Sequence, residues 1–403
     1  MTSPVLHSDM PKGFSFASVH CGLKRTRHDL GILVSERPAS AAAVFTTNLV
    51  AAAPVKVSRE NVKKSRGRMR AAIVNSGNAN CCTGSGGRAA SLETVRAAAK
   101  EIAGADASEI LVCSTGVIGV PLRVEKILRA LPELVKQRSE EAAAFEQFAR
   151  AIMTTDTRPK WSVARFAMGG KTVRIVGCAK GSGMIEPKMA TMLSFLATDG
   201  EISPALLEKT LKAAVNETFN AITVDGDTST NDTVAVFANG AAGARKIAGG
   251  ADLAKFQAAL TKVCSELALE IVADGEGAQR VIEVEVRGAP TDKKADQIAR
   301  TIANSPLVKT ALAGGDPNWG RIIAAAGRSG VKFDPERADI RLAGVEVCRQ
   351  GLEKRFSEKA LHRKMLAKYV PIVVELHAGK GRARVWTCDF TGEYVRINAS
   401  YRT

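Results

Sequence analysis

The sequence predicts an α/β fold, and three patterns carry that prediction: short apolar runs spread along the whole chain, a helical apolar stripe between two of them, and Gly- and Asp-rich turns at the junctions. Strands are expected near residues 13–20, 30–35, 71–75, 109–113, 162–168, 172–178, 192–198, 280–288, 338–344, 371–377 and 382–388. Helices fall between them. In residues 251–271 the set Leu253, Phe256, Leu260, Val263 and Leu267 recurs every three or four positions, which puts one face toward a core. Ser203 followed by Pro204 marks another helix start, because proline at the first helical position loses an N–H that has no helical partner. GGKT at 169–172 reads as a hairpin turn rather than a phosphate loop, since the first glycine of that loop would fall on Arg165. GSGMIE at 181–186 has Glu186 in place of the third glycine of a dinucleotide fingerprint. The polar turns DGDTSTND at 225–232 and GGDPNWG at 314–320 are loops of the kind that carry sites.

With 403 residues, 45% of them hydrophobic, the chain can bury a large core and form two or three domains. Its net charge of +16 would suit nucleic acid or an anionic small molecule. The basic clusters, such as Lys63, Lys64, Arg66, Arg68 and Arg70, have no aromatic residues interleaved, so nucleic acid is not an expected partner. The eight cysteines show no CxxC spacing, and no metal site is expected. The opening MTSPVLHSDMPKGF lacks the basic and apolar regions of a secretory leader, which points to reduced thiols and a cytoplasmic location. No apolar run approaches the roughly 20 residues of a membrane helix, so no membrane partner is expected.

One threonine stands out chemically. In KGSGMIEPKMATML, residues 180–193, Thr191 follows the small Ala190 and heads an apolar stretch. If the bond between Ala190 and Thr191 breaks, Thr191 gains a free α-amine beside its own hydroxyl, so nucleophile and base share one residue. Such an amine has a reference pKa of about 7.7–8.0, leaving a useful fraction unprotonated near neutrality. The chain has no GxSxG elbow, and none of its histidines (His7, His20, His28, His362, His377) lies near this segment. Alone, such a threonine is an ordinary β-branched residue entering a strand.

The rest of the chain changes that reading. KGSGMIEPKMATML occurs with NSGNANCCTG at 75–84, STGVIG at 114–119, TTDTRPK at 154–160, VDGDTSTND at 224–232 and ADGEGA at 273–278. Taken in chain order, over nearly the whole chain, these segments resemble the glutamate N-acetyltransferase family of arginine biosynthesis, also called ornithine acetyltransferases. The resemblance implies the layered αββα fold shared with DmpA-type aminopeptidases, with a smaller C-terminal α/β domain. It implies self-cleavage into an α chain of residues 1–190, carrying the oxyanion hole, and a β chain of residues 191–403, held as an α2β2 heterotetramer.

It also implies the reaction. Thr191 takes the acetyl group of N2-acetyl-L-ornithine as an ester, and L-glutamate then attacks that ester. Thr115 and Gly116 match the oxyanion pair, while Thr154, Lys180, Thr191, Glu276, Asn398 and Thr403 match substrate positions. Lys180 would face an anionic group; Glu276 or the Thr403 carboxylate would face a cationic one. No cofactor is implied, and acetyl-CoA would enter only as a second acetyl donor. An amide hydrolase or aminopeptidase using the same Thr191 is the alternative. Lys188, Glu186 and Ala221 depart from the family pattern, as does the adjacent pair Cys81 and Cys82, read as buried thiols.

Overall fold

The computed structural model describes residues 4–186 and 192–400, so Ala190, Thr191, Lys188 and Thr403 lie outside the described residues. The chain divides into two compact units. The first holds residues 1–181, 187–220 and 228–271; the second holds residues 182–186, 221–227 and 272–403. This division does not follow the 190/191 junction: the first unit takes residues from both sides of it.

In chain order the first unit contains β1 (Phe14–Val19), β2 (Leu30–Phe45), α1 (Ala53–Lys64), β3 (Arg68–Asn78), α2 (Gly84–Glu101), β4 (Ile110–Val117), α3 (Val124–Lys136), α4 (Ala142–Ala151), β5 (Lys160–Met168), β6 (Lys171–Lys180), β7 (Leu193–Thr198), α5 (Pro204–Glu217), β8 (Thr233–Ala238) and most of α6 (Gly250–Ala273). Its sheet runs β4-β3-β2-β8-β7-β6-β5. β2 is long enough to serve two partners on successive stretches: residues 30–35 pair with β1 and residues 40–45 with β8.

Side-chain alternation divides this sheet between two cores, because successive residues of a strand face opposite sides. Phe14, Phe16, Leu33, Ala72, Val74, Leu111 and Cys113 join one cluster with Phe145 and Phe148 of α4. Ala17, Ile32, Val34, Ala71, Ile73, Ile110 and Val112 join another with Val95 of α2 and Ile127 and Leu131 of α3. With both faces covered, the strands can be apolar throughout. The first core is locked by edge-on aromatic contacts, Phe16 on Phe145 at 5.2 Å and Phe148 on Phe195 at 5.5 Å.

The second unit contains β9 (Val281–Ala289), α7 (Asp292–Ala303), α8 (Pro306–Gly314), α9 (Trp319–Gly327), β10 (Asp339–Leu342), β11 (Val345–Arg349), β12 (Leu352–Glu353), α10 (Glu358–Met365), β13 (Tyr369–Glu375), β14 (Gly381–Cys388) and α11 (Gly392–Ala399). Its sheet order is β12-β11-β10-β13-β9-β14. Here one face is apolar: Ile282, Val284 and Val286 of β9 pack with Ala295, Ile298, Ala299 and Ile302 of α7. The alternate residues Glu283 and Glu285 face Arg384 and Arg287.

Each strand the sequence predicts is present, and the α/β class with a smaller C-terminal α/β unit is what forms. α6 carries the expected apolar face, with Phe256, Leu260, Val263 and Leu267 fully buried. α5 starts at Pro204, and the Ser203 hydroxyl accepts the Leu206 amide at 3.4 Å. Residues 169–170 make the β5–β6 hairpin turn with both glycines at positive φ, 56° and 74°. The sequence reading missed β8, β11 and β12 and the second half of β2. All eight cysteines are free thiols; Cys81 is buried and Cys82 exposed, which corrects the expectation that both are buried. No helix among the described residues is long and apolar enough to cross a membrane.

Candidate functional site

In the first unit the site is built at the end of β4. There Ser76, Gly77 and Asn78 of β3 run beside Thr115 and Gly116, and the register slips at Asn78. Gly116 has φ 132°, and Gly77 has φ 98°. A Cβ on Gly116 would lie 2.4 Å from the Gly77 carbonyl carbon and 2.6 Å from the Asn78 nitrogen, so only glycine fits. Thr115 is buried beside it, and its hydroxyl has no hydrogen-bond partner among the described residues.

Asn231 carries this strand end to the start of β8. Its side-chain amide donates to the Ser114 carbonyl at 2.8 Å and the Ala79 carbonyl at 2.6 Å, and its own oxygen accepts from the Thr230 hydroxyl at 2.6 Å. Two residues on, the Thr233 amide donates to the Met192 carbonyl at 2.8 Å, and Thr233 pairs with Leu193 in the β7–β8 ladder. On the other edge of β7, Leu193 pairs with Lys180. The chain that follows residue 191 is therefore flanked by Lys180 on one side and Asn231 to Thr233 on the other, with Ser114 and Thr115 reached through Asn231.

The carboxylates around this strand start are buried. Asp232 is 2% exposed, and its Oδ2 has no hydrogen-bond partner among the described residues. Burial pushes its carboxyl well above the usual carboxylate range, against the opposing pull of the Ser229 hydroxyl and the Lys180 ammonium. Asp156 goes the other way. Burial raises its pKa, but the ammoniums of Lys160 and Lys180 and the Gly181 amide bring it down to about 2. Thr154 sits two residues before it, and the Thr154 amide donates to Asp156 Oδ2 at 2.9 Å.

Two further positions implied by the resemblance meet in the second unit. Asn398 on α11 donates to Glu276 Oε2 at 2.7 Å. The Thr391 hydroxyl caps α11 by accepting the Glu393 amide, and it donates to the Gly277 carbonyl at 2.8 Å, which ties the helix start to the residue after Glu276. The Glu276 carboxylate lies flat on Gly183: a Cβ there would be 2.4 Å from Oε2. Glu186, a departure from the family pattern, accepts from Asn304 at 2.5 Å, and Asn304 in turn accepts from Thr223 at 2.7 Å.

The structure thus places Thr115, Gly116, Thr154 and Lys180 in one unit and brings Glu276 to Asn398 in the other; Ala190, Thr191 and Thr403 are outside the described residues. Asn231, Asp232 and Asp156 were missed as individual residues, although VDGDTSTND and TTDTRPK had marked their segments. Among the described residues, no three His, Cys, Asp or Glu side chains are grouped to hold a metal ion.

A threonine hydroxyl with no hydrogen-bond partner among the described residues, a glycine-lined strand end and a half-buried lysine gathered where an internal strand begins are the equipment of an α/β enzyme that transfers acyl groups. The ArgJ family model matches residues 15–403. The chain belongs to that family. It is 48% identical over 98% of its length to the arginine biosynthesis bifunctional protein ArgJ of Chlorobaculum tepidum, covering 96% of that protein. With the Thermotoga neapolitana protein of the same name it shares 48% identity over 98% of its length and 100% of that protein's. A crystal structure of the Bacillus halodurans protein argJ matches with a TM-score of 0.51 at 47% identity, covering 52% of this chain and 100% of that one.

Proposed function

We propose that the protein is an acyltransferase of arginine biosynthesis that moves the acetyl group of N2-acetyl-L-ornithine to L-glutamate through an acetyl ester on Thr191. The observation that carries this is the segment from Asn231 to Thr233: the Asn231 side chain holds the Ser114 carbonyl beside Thr115, and the Thr233 amide holds the Met192 carbonyl just before β7. The chain first cleaves between Ala190 and Thr191, and the freed α-amine takes the Thr191 hydroxyl proton. The hydroxyl oxygen attacks the acetyl carbon; the oxyanion that forms is held by the Thr115 hydroxyl and the Gly116 amide, and ornithine leaves as an amine. Glutamate's amine then attacks the ester, freeing the hydroxyl. The solved relative is matched end to end by 52% of this chain, the share that one cleavage product would cover.

In this reading Thr154, Lys180, Glu276, Asn398 and Thr403 are substrate positions, with Lys180 for an anionic group and Glu276 or the Thr403 carboxylate for a cationic one. The bifunctional name of the relatives supports a second reaction, with acetyl-CoA as the acetyl donor and no resident cofactor. The two cleaved chains stay together as an α2β2 assembly in the cytoplasm. The amide-hydrolase alternative predicts that acetate leaves N-acetylornithine as fast without glutamate as with it.

The test is intact mass beside activity. Wild type should appear as fragments 1–190 and 191–403, with acetyl release dependent on glutamate, and Thr191→Ala as one uncut, inactive chain; an uncut wild type sinks the mechanism. A second expectation concerns Glu276. Gly183→Ala forces its carboxylate off the glycine and away from Asn398. The fold should tolerate this, since the obstacle is the end of a flexible side chain, while KM for N-acetylornithine should rise about 10-fold, the effect of losing one charge-assisted hydrogen bond of about 1.5 kcal/mol. An unchanged KM would remove Glu276 from the donor site.

A further inference from the structure

The proposed reaction gives no role to the carboxylate of Asp156, yet it holds two segments of the donor site at once. Its Oδ2 accepts the Thr154 amide at 2.9 Å, and its Oδ1 accepts the Gly181 amide at 2.7 Å and the Lys160 ammonium at 2.6 Å. Asp156 and Lys160 are both fully buried. Gly181 directly follows Lys180 and lies 25 positions from Asp156 in sequence. One side chain therefore ties the loop bearing Thr154 to the end of β6 bearing Lys180. The loop is also fixed from behind, where Lys24 Nζ donates to the Met153 carbonyl at 2.7 Å and the Ala151 carbonyl at 3.2 Å, and the Ser76 hydroxyl donates to the Ala151 carbonyl at 2.5 Å.

We propose that Asp156 is a positioning residue for the acetyl-donor site, keeping Thr154 and Lys180 in fixed register by accepting the Thr154 and Gly181 amides on its two oxygens. The inference rests on the proposed function, which gives Thr154 and Lys180 to the substrate. Only a carboxylate suits the place. Both of its oxygens accept, whereas asparagine would offer one oxygen and turn an NH2 group toward the second amide. The Lys160 ammonium, the Lys180 ammonium and the Gly181 amide together favour the ionised carboxylate in this dry site, and the two amide bonds are what reaches the donor residues. A misplacement of about 1 Å at a substrate-positioning group costs on the order of 100-fold in rate.

The experiment measures acetyl transfer from N-acetylornithine to glutamate by wild type, Lys160→Met and the double variant Asp156→Asn/Lys160→Met, with rates expressed per cleaved enzyme counted by intact mass. The double variant leaves no unpaired buried charge, so its fold is kept; Lys160→Met retains both amide acceptors. The double variant should raise KM for N-acetylornithine at least 10-fold and lower kcat/KM about 100-fold, while Lys160→Met stays within about 3-fold of wild type per cleaved enzyme. If the double variant also stays within 3-fold, or if Lys160→Met alone loses as much, Asp156 has no positioning role and the proposed function is untouched. If the double variant does not fold, Asp156→Asn alone is read against the same thresholds on its folded fraction. A wild type that transfers no acetyl to glutamate overturns the proposed function and this inference with it.

Discussion

Gly116→Ala should yield little soluble protein, and none that transfers acetyl. A methyl group at that position would stand 2.4 Å from the Gly77 carbonyl carbon and 2.8 Å from its Cα, so the obstacle is the neighbouring strand's backbone rather than a side chain that can swing away. The backbone at φ 132° is itself one that residues with a Cβ avoid. Strain of this kind costs about 1–3 kcal/mol, and overpacking a further 1–3 kcal/mol. The two together are a large part of the roughly 5–15 kcal/mol that holds a native protein. Relief requires β3 and β4 to part where Ser114 and Thr115 sit, which also displaces the amide proposed for the oxyanion. Gly86→Ala provides the contrast: it lies inside α2 with nothing within 4 Å of its Cβ. That change should raise stability by about 0.5–1 kcal/mol. Thermal unfolding of the two variants checks both signs, and a Gly116→Ala enzyme as stable and active as wild type would remove the strand end from the mechanism.

The division between legible and hidden features follows from the physics of each. Strands with strong apolar runs, such as residues 71–75 and 172–178, declare themselves because burial on both faces of the first sheet demands them. β8, TVAVFA, is just as apolar, but it follows directly on the polar run DGDTSTND and lacks the alternation that marks a half-buried strand. The length of β2 was hidden by Glu36, Arg37 and Pro38, exposed residues at its midpoint that read as the end of a strand. At the site, Thr115, Gly116, Thr154 and Lys180 could be named from local segments. The groups that join them could not: Asn231 reaches Ser114 across 117 positions and Asp156 reaches Gly181 across 25, separations at which sequence spacing says nothing about contact.

Lys160→Met is the second change with a large expected effect, and its pH dependence identifies the cause. The pair at 2.6 Å has both side chains fully buried, so removing the ammonium leaves a carboxylate in a dry site; breaking such pairs costs about 3–5 kcal/mol. In wild type the folded-state pKa of Asp156 is lowered from 3.8 to about 2. A carboxylate lowered in this way adds stability that is fully present above its unfolded pKa and is lost as pH falls through the folded one, so acid weakens wild type between about pH 4 and pH 2. Without Lys160 the largest opposing pull on Asp156 is gone and burial dominates, raising the carboxyl above its unfolded value. That group is then most stable when protonated, so acid removes the penalty instead of imposing one. The deficit of Lys160→Met relative to wild type should therefore be largest at pH 7 and shrink toward pH 4, while the double variant with Asp156→Asn, having no buried charge to neutralise, should recover most of the loss at both values. Thermal melts of the three proteins at pH 7 and pH 4 decide it. A deficit of the same size at pH 7 and pH 4 would mean that Lys160 stabilises the fold by packing its alkyl chain rather than by balancing Asp156.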